Sequence, residues 1–121
     1  MAVEPTVLRR DGISYVRIPA ADPGRLAAFY AAVFDWEVDP DRGRFTDGSG
    51  HVIGHFVSDI DVAGEAGVRP YICVADVDHT LAKLASLGGS MVIAPYPEGN
   101  LKVAAFRDPA GNVIGVWQLA P

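Results

Sequence analysis

The chain has 121 residues, half of them hydrophobic and 21% charged, with a formal net charge of -5 at pH 7. That length suits one domain with a real core, which excludes a disordered chain, and the acidic balance excludes a partner such as nucleic acid that needs a basic face. A single cysteine, Cys73, rules out an internal disulfide and a thiolate-based zinc site, and no apolar run approaches the ~20 residues that a membrane helix needs.

The segment from Met1 to Gly12 carries Glu4, Arg9, Arg10 and Asp11 and has no apolar stretch of the secretory kind, so a cytoplasmic setting is expected. Ile13 to Pro19 reads as a strand, with Val16 and Ile18 alternating with Tyr15 and Arg17. Asp22-Pro23 then opens a helix: Asp22 is a good N-cap, and proline at the first helical position has no N–H to leave unpaired. Leu26, Phe29, Tyr30 and Val33 form its apolar stripe. Short strands follow at Trp36 to Val38 and Arg44 to Thr46, around a polar turn at Asp39–Gly43. A turn at Asp47-Gly48-Ser49-Gly50 leads into a strand from Val52 to Ser58.

Residues 59–67 are polar, hold two glycines and read as a linker. The order then repeats. Pro70 to Val74 is a strand, Asp76 or Asp78 caps a second helix with Leu81, Leu84 and Leu87 inward, and Gly88-Gly89 stops it. Met91 to Ala94 is a strand, Pro95 to Asn100 a loop, Leu101 to Phe106 a strand, and Val113 to Gln118 the last strand.

Within this order one sentence is written twice. "FTDGSGHVIGHF" begins at Phe45, and "FRDPAGNVIGVW" begins at Phe106. Phe, Asp, Gly, Val, Ile and Gly recur at matching places without a gap, which marks an internal duplication. The fold class is therefore α+β: two tandem βαβββ modules, residues 13–58 and 68–118, in one domain. A lone module has a helix on one sheet face and nothing on the other. Two of them are expected to curve one mixed sheet around a cleft, with the helices on the outer face and a ligand in the cleft.

Three stretches carry a resemblance: "ISYVRIPAADPGRLAAFYAAVFDWEV", "PYICVADVDHTLAKLASLGG" and "FRDPAGNVIGVWQ". Together they resemble the vicinal oxygen chelate superfamily of glyoxalase I, extradiol dioxygenases and bleomycin-resistance proteins. The resemblance spans Ile13 to Gln118. It implies a divalent metal held by His, Glu or Gln from four strands. Matched by motif, those positions fall on Tyr15, Gly54, Arg69 (give or take one residue) and Gly115. Glycine has no side chain to give, and a guanidinium repels a dication. The metal of the family is thus not expected here, and a divalent metal held in a non-standard way is the alternative.

The histidines do not rebuild a centre in this reading. His51 is at a hairpin turn and reads as exposed, matching Asn112, and His79 lies in the first turn of a helix. His55 follows Gly54 and, by strand alternation from it, belongs to the opposite, helix-side face. The expected cleft lining is Tyr15 and Arg17 on the first strand, Phe56 on the fourth, Arg69 and Tyr71 on the fifth and Trp117 on the last. Cys73 follows on the fifth strand and reads as an inert buried thiol. Aromatic rings and arginine suit a planar or anionic small molecule. The competing reading is that Phe56, Tyr71 and Trp117 fill a shrunken core. Tyr96 and Glu98, in the loop of residues 95–100, stand as a lid or an ordinary stiff turn.

The resulting expectation is a metal-independent small-molecule binder. By resemblance to the bleomycin-resistance branch it is a homodimer. The alternative is an enzyme of the same fold, a lyase, isomerase or dioxygenase, with a non-standard metal or with Tyr15, Glu98 or Cys73 as acid or base. A structural or regulatory dimer with a filled cleft is the third reading.

Overall fold

The computed structural model describes residues 9–39 and 41–120; the expectation about a leader before Arg9 lies outside them. The chain divides into two compact units, with the boundary after Ile60. The first holds β1 (Val16–Pro19), α1 (Pro23–Phe34), β2 (Glu37–Val38), β3 (Arg44–Thr46) and β4 (Val52–Val57). The second holds β5 (Tyr71–Cys73), α2 (Val77–Ala85), β6 (Ser90–Glu98), β7 (Leu101–Arg107) and β8 (Val113–Leu119). Each is a βαβββ module with a four-stranded mixed sheet, ordered β1-β4-β3-β2 and β5-β8-β7-β6. The only regular structure in the linker region is a 3₁₀ turn at Gly64–Ala66.

The helix starts follow from the sequence. Asp22 Oδ1 accepts the Arg25 N–H at 3.1 Å, and Asp76 Oδ1 accepts the His79 N–H at 3.0 Å, so each helix begins on a carboxylate that satisfies an orphan donor. Leu26, Phe29, Tyr30 and Val33 are all buried, as their spacing requires. In α2 only Leu84 of the three leucines is fully buried. Leu87 is 43% exposed, because the helix ends at Ala85 and Leu87 falls in the closing turn.

The core of the first unit is an aromatic pile. Trp36 stacks on Phe45 with ring centroids 4.6 Å apart, Tyr30 stacks on Trp36 at 5.0 Å, and Phe56 meets Tyr30 at 5.6 Å and Phe45 at 5.0 Å. Phe56 is thus committed to the helix side of its sheet and does not line a ligand face.

The cause is a β-bulge. Phe45 pairs with Gly54, but Thr46 pairs with Val52, which leaves Ile53 as an extra residue in β4. The matching hairpin of the second unit has no such shift: Phe106 pairs with Ile114 and Arg107 with Val113. The gapless repeat of the sequence is therefore out of step by one residue beyond the bulge, and a one-residue slip exchanges the faces of a strand. Gly54 and Phe56 face the helix. His55 turns to the open face, opposite to the expectation from strand alternation.

The second unit corrects a different element. Residues 95–98 are not loop but the end of the long strand β6, whose turn is made at Gly99, φ +60°. Pro95 and Pro97 are accommodated because β6 is an edge strand and its register with β7 shifts twice, between Met91 and Ile93 and between Ile93 and Tyr96.

The two glycines of the repeat each lie beneath a ring, on different faces. A Cβ on Gly54 would meet the Val16 carbonyl oxygen and come within 2.7 Å of the Phe45 ring, whereas the three atoms nearest a Cβ on Gly115 all belong to the ring of Tyr71. Backbone and a fully buried ring cannot yield, but Tyr71 is 46% exposed and can swing away. Gly54→Ala should therefore cost about 1–3 kcal/mol of stability. Gly115→Ala should cost clearly less and shift the Tyr71 ring resonances, as read by urea unfolding and by NMR.

Candidate functional site

Each sheet has one face under its helix and one open face, and the open faces carry the chemistry. In the first unit β1 and β4 are parallel, with Val16 beside Gly54, Arg17 beside His55 and Ile18 beside Phe56. The antiparallel β3 places Arg44 on the other side of His55. Arg17, His55 and Arg44 therefore form one row across three neighbouring strands, with Tyr15 at its edge.

The contacts within the row are specific. The Tyr15 hydroxyl and His55 Nδ1 share a hydrogen bond of 2.9 Å, with ring centroids 5.6 Å apart. Arg17 Nη1 lies 3.4 Å from His55 Nε2. Arg44 is held from the turn, its Nη2 donating to Asp39 Oδ2 at 3.2 Å. The Asp41 N–H and then the Arg44 guanidinium beside Asp39 hold its carboxyl below the usual aspartate value. Next to Tyr15, toward the start of β1, lies an open depression of about 530 Å³ lined by residues including Arg9, Tyr15, Asp47, His51 and Ile53. His51 is accordingly half-buried rather than exposed.

In the second unit the register sets another row on the open face: Cys73 beside Trp117, Trp117 opposite Val103, and Val103 opposite Tyr96. Tyr71 lies beside Gly115 in the adjacent row, and Glu98 is two residues along β6 from Tyr96 on the same face. Cys73 is exposed, which corrects the expectation of a buried thiol, because β5 is an edge strand and Cys73 points away from α2. Arg69 precedes β5 and is half-buried. Tyr96 donates its hydroxyl to Glu98 Oε2 at 3.4 Å. Its sheltered position, and then the Glu98 charge, hold its phenol above the usual tyrosine value, while Arg69 pulls the other way.

Of the expected lining residues, then, Tyr15 and Arg17 share the open face of the first unit, and Tyr71 and Trp117 share that of the second. Arg69 stands at the entrance to β5, and Phe56 is core. The residue missed was His55, and its turn gave no signal: Asp47–Gly50 and Asp108–Gly111 are built alike, each an Asx turn closed by a glycine N–H, and the two copies differ only in how the strands beyond it pair.

Of the four strand positions that the resemblance implies, the first unit holds Tyr15 and, with the bulge, His55, and the second unit holds Arg69 and Gly115. Among the described residues, no group of three or more His, Cys, Asp or Glu side chains is placed to hold a metal ion. Among them, too, no helix is long and apolar enough to cross a membrane.

The folds that share this architecture define its class. The structure superposes on a glyoxalase/bleomycin resistance protein/dioxygenase family enzyme from Burkholderia phytofirmans PsJN with a TM-score of 0.68, at 19% identity over 88% of this chain and 98% of that one. The fosfomycin resistance protein FosX from Listeria monocytogenes gives 0.71 at 16% identity, over 89% and 93%. TnmS3, an antibiotic binding protein from Streptomyces sp. CB03234, gives 0.69 at 20% identity over 99% of both chains. The structure shares its fold with these proteins. The family model of the glyoxalase-like domain matches residues 15–117, and the chain belongs to that family. No curated protein matches it significantly.

Two titrations follow from the site. The raised phenol of Tyr96 means that folding favours its neutral form, so this contribution is present at neutral pH and is lost as pH rises through its folded pKa. Glu98→Gln should lower that pKa without restoring the ordinary value, since shelter from water remains. Asp39 has the opposite sign: its contribution is present above the ordinary value of 3.8 and is lost as pH falls through its lowered pKa. NMR titration of the Tyr96 ring and the Asp39 carboxyl, in wild type and in Arg44→Gln for the latter, checks both.

Proposed function

We propose that the protein is a metal-independent binder of small planar or anionic molecules. The observation that carries this reading is the row Arg17–His55–Arg44 with Tyr15 at its edge. Cations and hydroxyl flank the one imidazole, where a metal centre would require further carboxylate or imidazole donors. On the open face of the second unit, Tyr71, Tyr96 and Trp117 offer stacking area, with Tyr71 46% and Tyr96 38% exposed. The similarity to an antibiotic binding protein and to fosfomycin resistance proteins supports a small-molecule ligand. The working form of the binder is a cytoplasmic homodimer, as in the bleomycin-resistance branch that the sequence resembles.

A second reading, metal-free acid/base catalysis on a bound ligand, draws on the Tyr15–His55 hydrogen bond of 2.9 Å, which is the geometry of a proton-relay pair.

Elemental mass spectrometry after exposure to zinc, nickel, manganese and iron(II) should find substoichiometric metal in folded protein. Titration with a panel of flat aromatic acids and neutral aromatics should quench Trp117 fluorescence saturably. Stoichiometric, chelator-sensitive metal would overturn metal independence, and a panel without any saturable binding would overturn the binder. Light scattering should give twice the chain mass; the monomer mass would refute the dimer.

A further inference from the structure

The polarity of the Tyr15–His55–Arg17 contacts is fixed by Arg17. A guanidinium has donors and no acceptor, so at 3.4 Å from Arg17 Nη1 the Nε2 atom of His55 takes the accepting role. A neutral imidazole with Nε2 as acceptor carries its proton on Nδ1. His55 Nδ1–H then donates to the Tyr15 oxygen across the 2.9 Å contact. The Tyr15 hydroxyl proton is left over, on a side chain that is 44% exposed. Arg17 is also exposed, and it has no carboxylate within ion-pair distance among the described residues, where Arg44, Lys102 and Arg107 each have one. One hydroxyl donor and one uncompensated guanidinium thus stand on the same open face, oriented by a single imidazole, in a chain whose net charge is -5. Asp47, the acid lining the depression beside Tyr15, accepts from both the N–H and the hydroxyl of Ser49.

We propose that this face is an oxyanion site: Tyr15 O–H and the free Arg17 N–H groups grip a carboxylate, phosphonate or phosphate group, and His55 is the positioning residue that, as the Nδ1–H tautomer, turns the Tyr15 proton outward. This rests on the binder reading and narrows it to the charged group of the ligand. Other groups facing His55 are Arg44 from β3, with its partner Asp39, and they leave the row cationic or neutral. A charge-assisted hydrogen bond is strong enough that losing either donor should weaken the grip about tenfold or more.

The probe is phenylphosphonate, with dimethyl phenylphosphonate as its uncharged counterpart, titrated calorimetrically into the full chain at neutral pH. The expected result is one-to-one binding of phenylphosphonate and at least tenfold weaker binding of the ester. Tyr15→Phe should weaken phenylphosphonate about tenfold, Arg17→Gln at least as much, and both side chains are exposed enough for the variants to fold. ¹⁵N NMR of the imidazole should show His55 protonated at Nδ1 and bare at Nε2. An Nε2–H tautomer, or affinity unchanged in both variants, overturns the proposal. Equal binding of acid and ester overturns it while leaving an aromatic binder standing. No binding of phenylphosphonate overturns it as well, and the aromatic panel above then decides the broader reading separately.

Discussion

The extra residue at Ile53 sets which side chains of β4 reach the open face of the first unit. Between the pairs Phe45–Gly54 and Thr46–Val52, β4 spends two residues where β3 spends one. Every side chain beyond that point changes face relative to an unbulged strand. Phe56 goes under the helix, where Tyr30 and Phe45 receive it. His55 goes to the open face, where Arg17 and Tyr15 meet it. Remove the bulge and an imidazole is driven into an aromatic core while a phenyl ring is turned out to solvent, an exchange costing several kcal/mol on both counts. The aromatic pile therefore enforces the bulge, and the bulge builds the polar row.

The second unit shows what the duplicated sequence does without that device. Its hairpin pairs in strict register, Gly115 stays on the open face, and the ring of Tyr71 lies over it. Two copies of one sentence thus give two different surfaces, a cationic polar row in the first unit and an aromatic face in the second. The divergence needs no change of fold, only one unpaired residue in one hairpin.

Much of this was legible in the chain. Asp22-Pro23 and Asp76 announced the two helices, the stripe Leu26, Phe29, Tyr30, Val33 announced the core face of α1, and the repeated sentence announced the two modules. Side-chain direction was legible where strands pair regularly, as for Arg17, Tyr71 and Trp117. It failed in β4 because a bulge is a property of pairing, and neither strand alone encodes its register. It failed again at Pro95 and Pro97, where two prolines read as loop although an edge strand tolerates them. His55 was the costly miss: its face depended on the one register shift that a gapless alignment of the repeat conceals.

The most direct test is a nuclear Overhauser measurement on the free protein between the ring protons of Tyr15 and His55. Cross-peaks between them are expected, since the ring centroids lie 5.6 Å apart, together with cross-peaks from the Phe56 ring to Tyr30. Cross-peaks from the His55 ring to Tyr30 instead would mean an unbulged β4, and the polar row of the first unit would not exist.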